Sequence, residues 1–99
     1  MKLYTLVEGR PEPCDDVVTW GRWCETADRV LLTTMLNDVT VSTVFLGLDH
    51  NHGRHGAPIL WETMIFDGPH DGYQTRYTSA AAALEGHERA VKIATASKA

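Results

Sequence analysis

The densest cluster of residues able to do chemistry lies between positions 49 and 62. The string Asp49-His50-Asn51-His52-Gly53-Arg54-His55 sets three imidazoles within six positions, and Glu62 follows downstream. Imidazole nitrogens and carboxylates are borderline ligands that suit zinc or another divalent transition metal, so His50, His52 and His55 could converge on one ion. Such a site would support a metal-dependent hydrolase or nuclease using the 49 to 55 loop. The spacing, however, matches no established zinc pattern.

The competing reading is structural. Asp and Asn turn or cap the backbone in loops, and histidines beside them face solvent. The string shares letters with the His-Asn-His nucleases, but there a metal-gripping hairpin leads into a helix. Here the next segment, ILWETMIF at 59 to 66, reads as a strand. On that strand Glu62 faces either Arg76 or Tyr77 across the following turn, depending on a one-residue shift, and either can satisfy a carboxylate. The candidate binding residues are therefore Asp49, His50, Asn51, Glu62, Arg76 and Tyr77. No catalytic residue is assigned: Glu62 lacks an identifiable acid or base partner, neither cysteine has an activating motif, and no serine lies in a nucleophile elbow. No phosphate-cradling glycine loop is present either, and no cofactor is expected.

These side chains need elements to hold them. Residues 2 to 7 alternate loosely and end at Gly9 and Pro11, which predicts a first strand and a turn. Asp15 or Asp16 can cap a helix whose apolar positions are Val17, Trp20, Trp23, Cys24 and Ala27. From Arg29 to Leu48 the residues are mostly Val, Leu, Thr and Phe, broken at Asn37-Asp38, a pair suited to a tight hairpin turn. The register through that turn sets Leu36 opposite Val39, Thr34 opposite Val41, Leu32 opposite Thr43 and Val30 opposite Phe45. A loop at 49 to 58, the strand at 59 to 66, a turn at 67 to 72 and a short strand at 73 to 77 follow. Thr78 or Ser79 then caps a last helix striped by Ala80, Ala83, Leu84, His87, Val91 and Ala94, with Glu85–Arg89 and Glu88–Lys92 as i, i+4 ion pairs. His87 on that stripe reads as a hydrogen-bonded core histidine, and Gly86 as the point where helix and sheet come close. Trp20, Trp23 and Trp61 read as core before they read as an aromatic cage.

The order is β-α-β-β-β-β-α. It predicts a single α+β domain over residues 1 to 99, with an antiparallel sheet of about five strands and both helices on one face. The other face is then open to solvent or to a partner. A chain of 99 residues with 43% hydrophobic and 22% charged residues can bury one core. Its net charge of −4, with nine scattered basic residues, argues against direct nucleic-acid binding. No apolar run is long enough for a bilayer, and the start lacks a secretory h-region, so a cytoplasmic protein is expected. Cys14 and Cys24, set about 12 Å or more apart by helical rise, are expected as free thiols.

The stretches VSTVFLGLDHNHG at 41 to 53, PILWETMIF at 58 to 66, RYTSAAAALEGHERAV at 76 to 91 and TW-x-x-W-x-E-T-A at 19 to 27 resemble a group of small proteins encoded by bacteriophages and prophages. That resemblance spans about two thirds of the chain. In the group an aromatic residue often stands where His52 is, and a glycine where Asp67 is, so the resemblance leaves Asp49, His50 and Glu62 as the parts of any shared metal-dependent site. The resemblance implies a viral origin and the cytoplasm of a host bacterium, and names no reaction. Small acidic phage accessory proteins act by stoichiometric binding. The expectation is therefore an interference module that binds a host protein or small ligand, such as an inhibitor of a CRISPR or other defence system. The alternatives are the metal-dependent hydrolase and a structural protein that pairs with itself as a homodimer.

Overall fold

The computed structural model describes residues 2 to 51 and 56 to 96. It is an α+β fold in which two helices accompany two antiparallel sheets, one of two strands and one of four.

The chain begins with a hairpin, β1 (Leu3–Val7) and β2 (Arg10–Cys14). It turns at Glu8 and Gly9, both with positive φ. β2 is an addition to the expected order, which therefore has six strands. Its two prolines pair with Leu6 and Tyr4. Val7 and Arg10 close the two-residue turn and form a hydrogen-bonded pair, so alternate residues from there turn their amides toward β1. Pro11 and Pro13 fall on the positions between, where the missing N–H lies on the outer edge and costs no ladder bond.

Helix α1 (Val17–Thr26) starts at Asp16, whose carboxylate accepts from the Val18 N–H at 3.0 Å and the Thr19 hydroxyl at 2.7 Å. These bonds, the hydroxyl's first, hold the Asp16 carboxyl below its ordinary value. The helix leans on β1 and β2. Trp20 donates its indole N–H to the Tyr4 carbonyl, and Trp23 packs edge-on against Phe45.

The large sheet runs β3 (Val30–Leu36), β4 (Val39–Phe45), β5 (Trp61–Phe66), β6 (Gln74–Tyr77), all antiparallel neighbours. Asn37 takes the positive φ that the β3–β4 turn requires. The expected register holds at Leu36–Val39, Thr34–Val41 and Leu32–Thr43. It then slips at a bulge, so that Val30 pairs with Val44 rather than Phe45.

Helix α2 (Ala80–Ala96), capped by Ser79, lies across the sheet. Its buried residues are Ala83, Gly86, His87, Ala90 and Ala94, so the inward stripe is rotated from the expected one and Leu84 remains 44% exposed. A Cβ on Gly86 would overlap the Oη, Cζ and Cε1 atoms of Tyr77, which explains the glycine by close approach. The i, i+4 pairs foreseen on α2 are not closed; the ion pair among the described residues is Arg76–Glu62. One core cluster gathers Tyr4, Phe45, Leu60, Trp61, Tyr77 and Ala83, and a second gathers Val39, Val41, Ile65, Ala90 and Ala94. Cys14 and Cys24 are free thiols. No helix among the described residues is long and apolar enough to cross a membrane.

Candidate functional site

Strand alternation divides the large sheet into two faces. Val41, Thr43, Phe45, Thr63 and Ile65 are buried on the face that α2 covers. The intervening residues share the other face: Thr40, Ser42 and Val44 of β4, Glu62, Met64 and Phe66 of β5, and Gln74 and Arg76 of β6. Thr33 and Met35 of β3 complete it, paired with Ser42 and Thr40. Met35 is 74% exposed and Phe66 43%.

A carboxylate sits within this uncovered face and is nevertheless 8% exposed. Glu62 is flanked by Val44 on one side and Arg76 on the other. Its Oε2 accepts from the Arg76 Nε at 2.9 Å and from the Gln74 side-chain amide. The two registers open to Glu62 in the sequence thus resolve to Arg76. Tyr77 stands on the covered face, where its ring joins the core beside Leu60 and Trp61 and its hydroxyl has no hydrogen-bond partner among the described residues. Gln74 escaped notice in the sequence, although its pairing with Met64 puts it diagonal to Glu62.

The loop after β4 is organised by Asp49. Its Oδ1 accepts the Asn51 N–H at 2.8 Å and the Ile59 N–H at 3.0 Å, tying the two ends of the loop together. Asn51 is buried and donates to the Ala57 carbonyl at 3.0 Å. His50 lies 2.8 Å through Nδ1 from the Leu48 carbonyl, which makes Nδ1 the protonated nitrogen there. These three residues hold backbone in place, as turn-forming residues do. His52 and His55 lie outside the described residues. Among the described residues, no group of three or more His, Cys, Asp or Glu is placed to hold a metal ion.

The covered face carries its own polar chain. His87 is 2% exposed, with Nε2 2.8 Å from the Thr34 hydroxyl and Nδ1 2.7 Å from that of Thr43, which in turn meets Thr63 at 2.6 Å. Burial pushes the imidazole below its ordinary value against an opposing pull from Glu88. A neutral ring donates one of these bonds and accepts the other, which fits two hydroxyl partners. Shut beneath α2, this chain satisfies a core rather than serving a substrate.

One groove of about 520 Å³ opens between the first hairpin and the start of α2, bounded by Tyr4, Pro11, Pro13, Leu60, Trp61 and Ser79 among others. Its lining has no carboxylate, imidazole or thiol and offers apolar contact. No protein-family model matches this chain, and no curated protein or solved structure matches it either.

Proposed function

We propose that this protein is a binding module that captures another protein through the open sheet face, with Arg76 as the anchor. The observation that carries the reading is the locked arginine. Glu62 and the strand pairing fix the Arg76 Nε, while its terminal guanidinium nitrogens make no hydrogen bond among the described residues. A half-exposed, pre-oriented guanidinium on the same sheet face as Val44, Met64 and Phe66 combines the charged and apolar elements that dominate interface energetics, with its ordering cost already met within the chain. Its natural counterpart is a carboxylate on the partner, taken by the two terminal nitrogens in a forked pair.

The partner is a host protein, and the setting is the bacterial cytoplasm. The phage-like segments of the sequence make interference with a defence system, CRISPR systems included, the specific form of this proposal. Stoichiometric binding needs no catalytic group, which agrees with Asp49, His50 and Asn51 spending their bonds on the loop.

Affinity capture from a bacterial lysate tests it, followed by titration with the purified partner. Wild type should hold one partner at fixed stoichiometry, and Arg76→Ala and Phe66→Glu should each weaken it by about 30-fold or more, the scale of an interface hot spot. In cells, expression should restore plating of a restricted phage, and both variants should abolish the rescue. A partner held equally well by folded Arg76→Ala and Phe66→Glu would refute the proposed face.

A further inference from the structure

The sheets end in strands whose outer main-chain groups need protection from other chains, and those edges are treated differently. β2 is blunted by Pro11 and Pro13. β6 is four residues long and carries Arg76. β3 has seven residues, VLLTTML, with no charge and no proline. Val30, Leu31, Leu32 and Met35 on it are all exposed. Leu84, also exposed, is three residues before His87 on the flank of α2 that reaches Thr34. A long, uncharged, apolar edge is the type that natural sheets avoid leaving bare.

We infer that the β3 edge joins a second copy of this chain, antiparallel about a two-fold axis through Thr34, to make one continuous eight-stranded sheet. The register follows from the strand itself. Leu36 and Val39 close the hairpin turn, so Leu32 and Thr34 turn their amides toward β4, and Thr33 and Met35 turn theirs outward. The ladder is regular from Leu32 to Leu36 and bulged before that, and Thr34 is the midpoint of the regular stretch. Centring there lets Thr33 exchange both main-chain bonds with Met35 of the second copy, and the reverse by symmetry. It also sets Leu32 against Leu36 of the second copy on the helix-covered side. A shift by one residue would set open-face side chains against covered-face ones.

The area is sufficient for a reversible dimer. The exposed parts of Val30, Leu31, Leu32, Met35 and Leu84 come to roughly 500 Å² per copy, about 1,000 Å² in all, near the lower bound for a specific interface. If all of that area is covered, the interface stands at the small, reversible end of the range, and association depends on concentration.

Sedimentation velocity on the full chain across concentrations up to about 0.5 mM, with three variants, tests this. Wild type should pass from monomer to dimer. Met35→Lys, which adds a charge at an exposed position, and Thr33→Pro, which removes an outward N–H, should each weaken the dimer at least tenfold with far-ultraviolet circular dichroism unchanged. Phe66→Glu, at the partner-binding face, should leave self-association intact. As a check on register, Thr34→Cys should oxidise to a dimer linked through the new thiols, because opposed residues of that pair type lie about 4.5 Å apart at Cα. A monomer at every concentration, a dimer indifferent to both edge variants, or one lost only in Phe66→Glu would overturn the inference.

Discussion

Alanine at position 86 should destabilise the protein, although helix propensity argues the opposite. Replacing a mid-helix glycine by alanine gains about 1 kcal/mol when nothing else changes. Here the new methyl would overlap two ring atoms and the hydroxyl oxygen of Tyr77. That ring is buried in one core cluster with Leu60, Trp61 and Ala83. Overpacking of a close-packed core costs about 1 to 3 kcal/mol, and an overlap with an aromatic ring belongs at the upper end. The net loss is then about 2 kcal/mol, a fall in Tm of roughly 8 to 16 °C for a domain of this size. Urea unfolding followed by tryptophan fluorescence measures it, with an unchanged m-value as the check that the denatured state is the same. With Tyr77→Leu as background the overlap disappears, and Gly86→Ala should return to a gain of up to about 1 kcal/mol, a coupling of about 3 kcal/mol. A Gly86→Ala protein as stable as wild type, or one equally destabilised in both backgrounds, would refute the reasoning.

Four other outcomes follow from the same structure. His87 is held neutral by burial, so below its ordinary value of 6.5 the unfolded chain takes up a proton that the folded chain refuses. Stability should be full above that pH and fall as pH drops below it, by at most about 1.4 kcal/mol per pH unit, with the slope absent in His87→Leu when unfolding is measured from pH 7 to 5. His87→Leu should itself cost about 1 to 3 kcal/mol because the Thr34 and Thr43 hydroxyls each lose a hydrogen-bond partner, and adding Thr34→Val, Thr43→Val and Thr63→Val should recover most of it in thermal melts. Arg76→Ala leaves the sheltered Glu62 carboxylate with Gln74 alone and should cost about 1 to 2 kcal/mol in urea, with Glu62→Leu/Arg76→Leu costing less. Asp67 has a left-handed φ of 71, so Asp67→Gly should stay within about 1 kcal/mol of wild type, whereas Gly68→Ala should lose more, since its Cβ would come 2.7 Å from the Val39 Cγ2.

The central hairpin was legible because Asn37 and Asp38 mark a turn and the flanking alternation admits one register; only the bulge at Val30 departs from it. β2 was illegible because prolines normally argue against a strand, and their harmlessness depends on which edge their nitrogens meet. On α2, bulk drew attention to Leu84, but the helix sits close to the sheet through Ala90 and Gly86, and small residues carry little hydrophobic signal. Glu62 could be placed opposite one of two neighbours, and only the turn geometry chose Arg76. The partners of His87 are two threonines, Thr34 and Thr43, 53 and 44 residues away, a distance over which periodicity says nothing.

The first hairpin and α1 meet the remainder of the molecule along a narrow seam. Two main-chain bonds, Tyr4 N–H to the Gly47 carbonyl at 2.8 Å and Asp49 N–H to the Lys2 carbonyl at 3.0 Å, join it to the segment after β4. Beyond these, Tyr4 is buried with Phe45, Leu60 and Trp61, and Leu6 and Trp23 pack against the same cluster. Opening this seam would uncover part of that core but break no rung of the four-stranded ladder. Amide protons of β1 should then exchange with solvent deuterium through partial opening, while those of β4 and β5 wait for the whole fold to come apart. A chain this short would possess two melting energies instead of one.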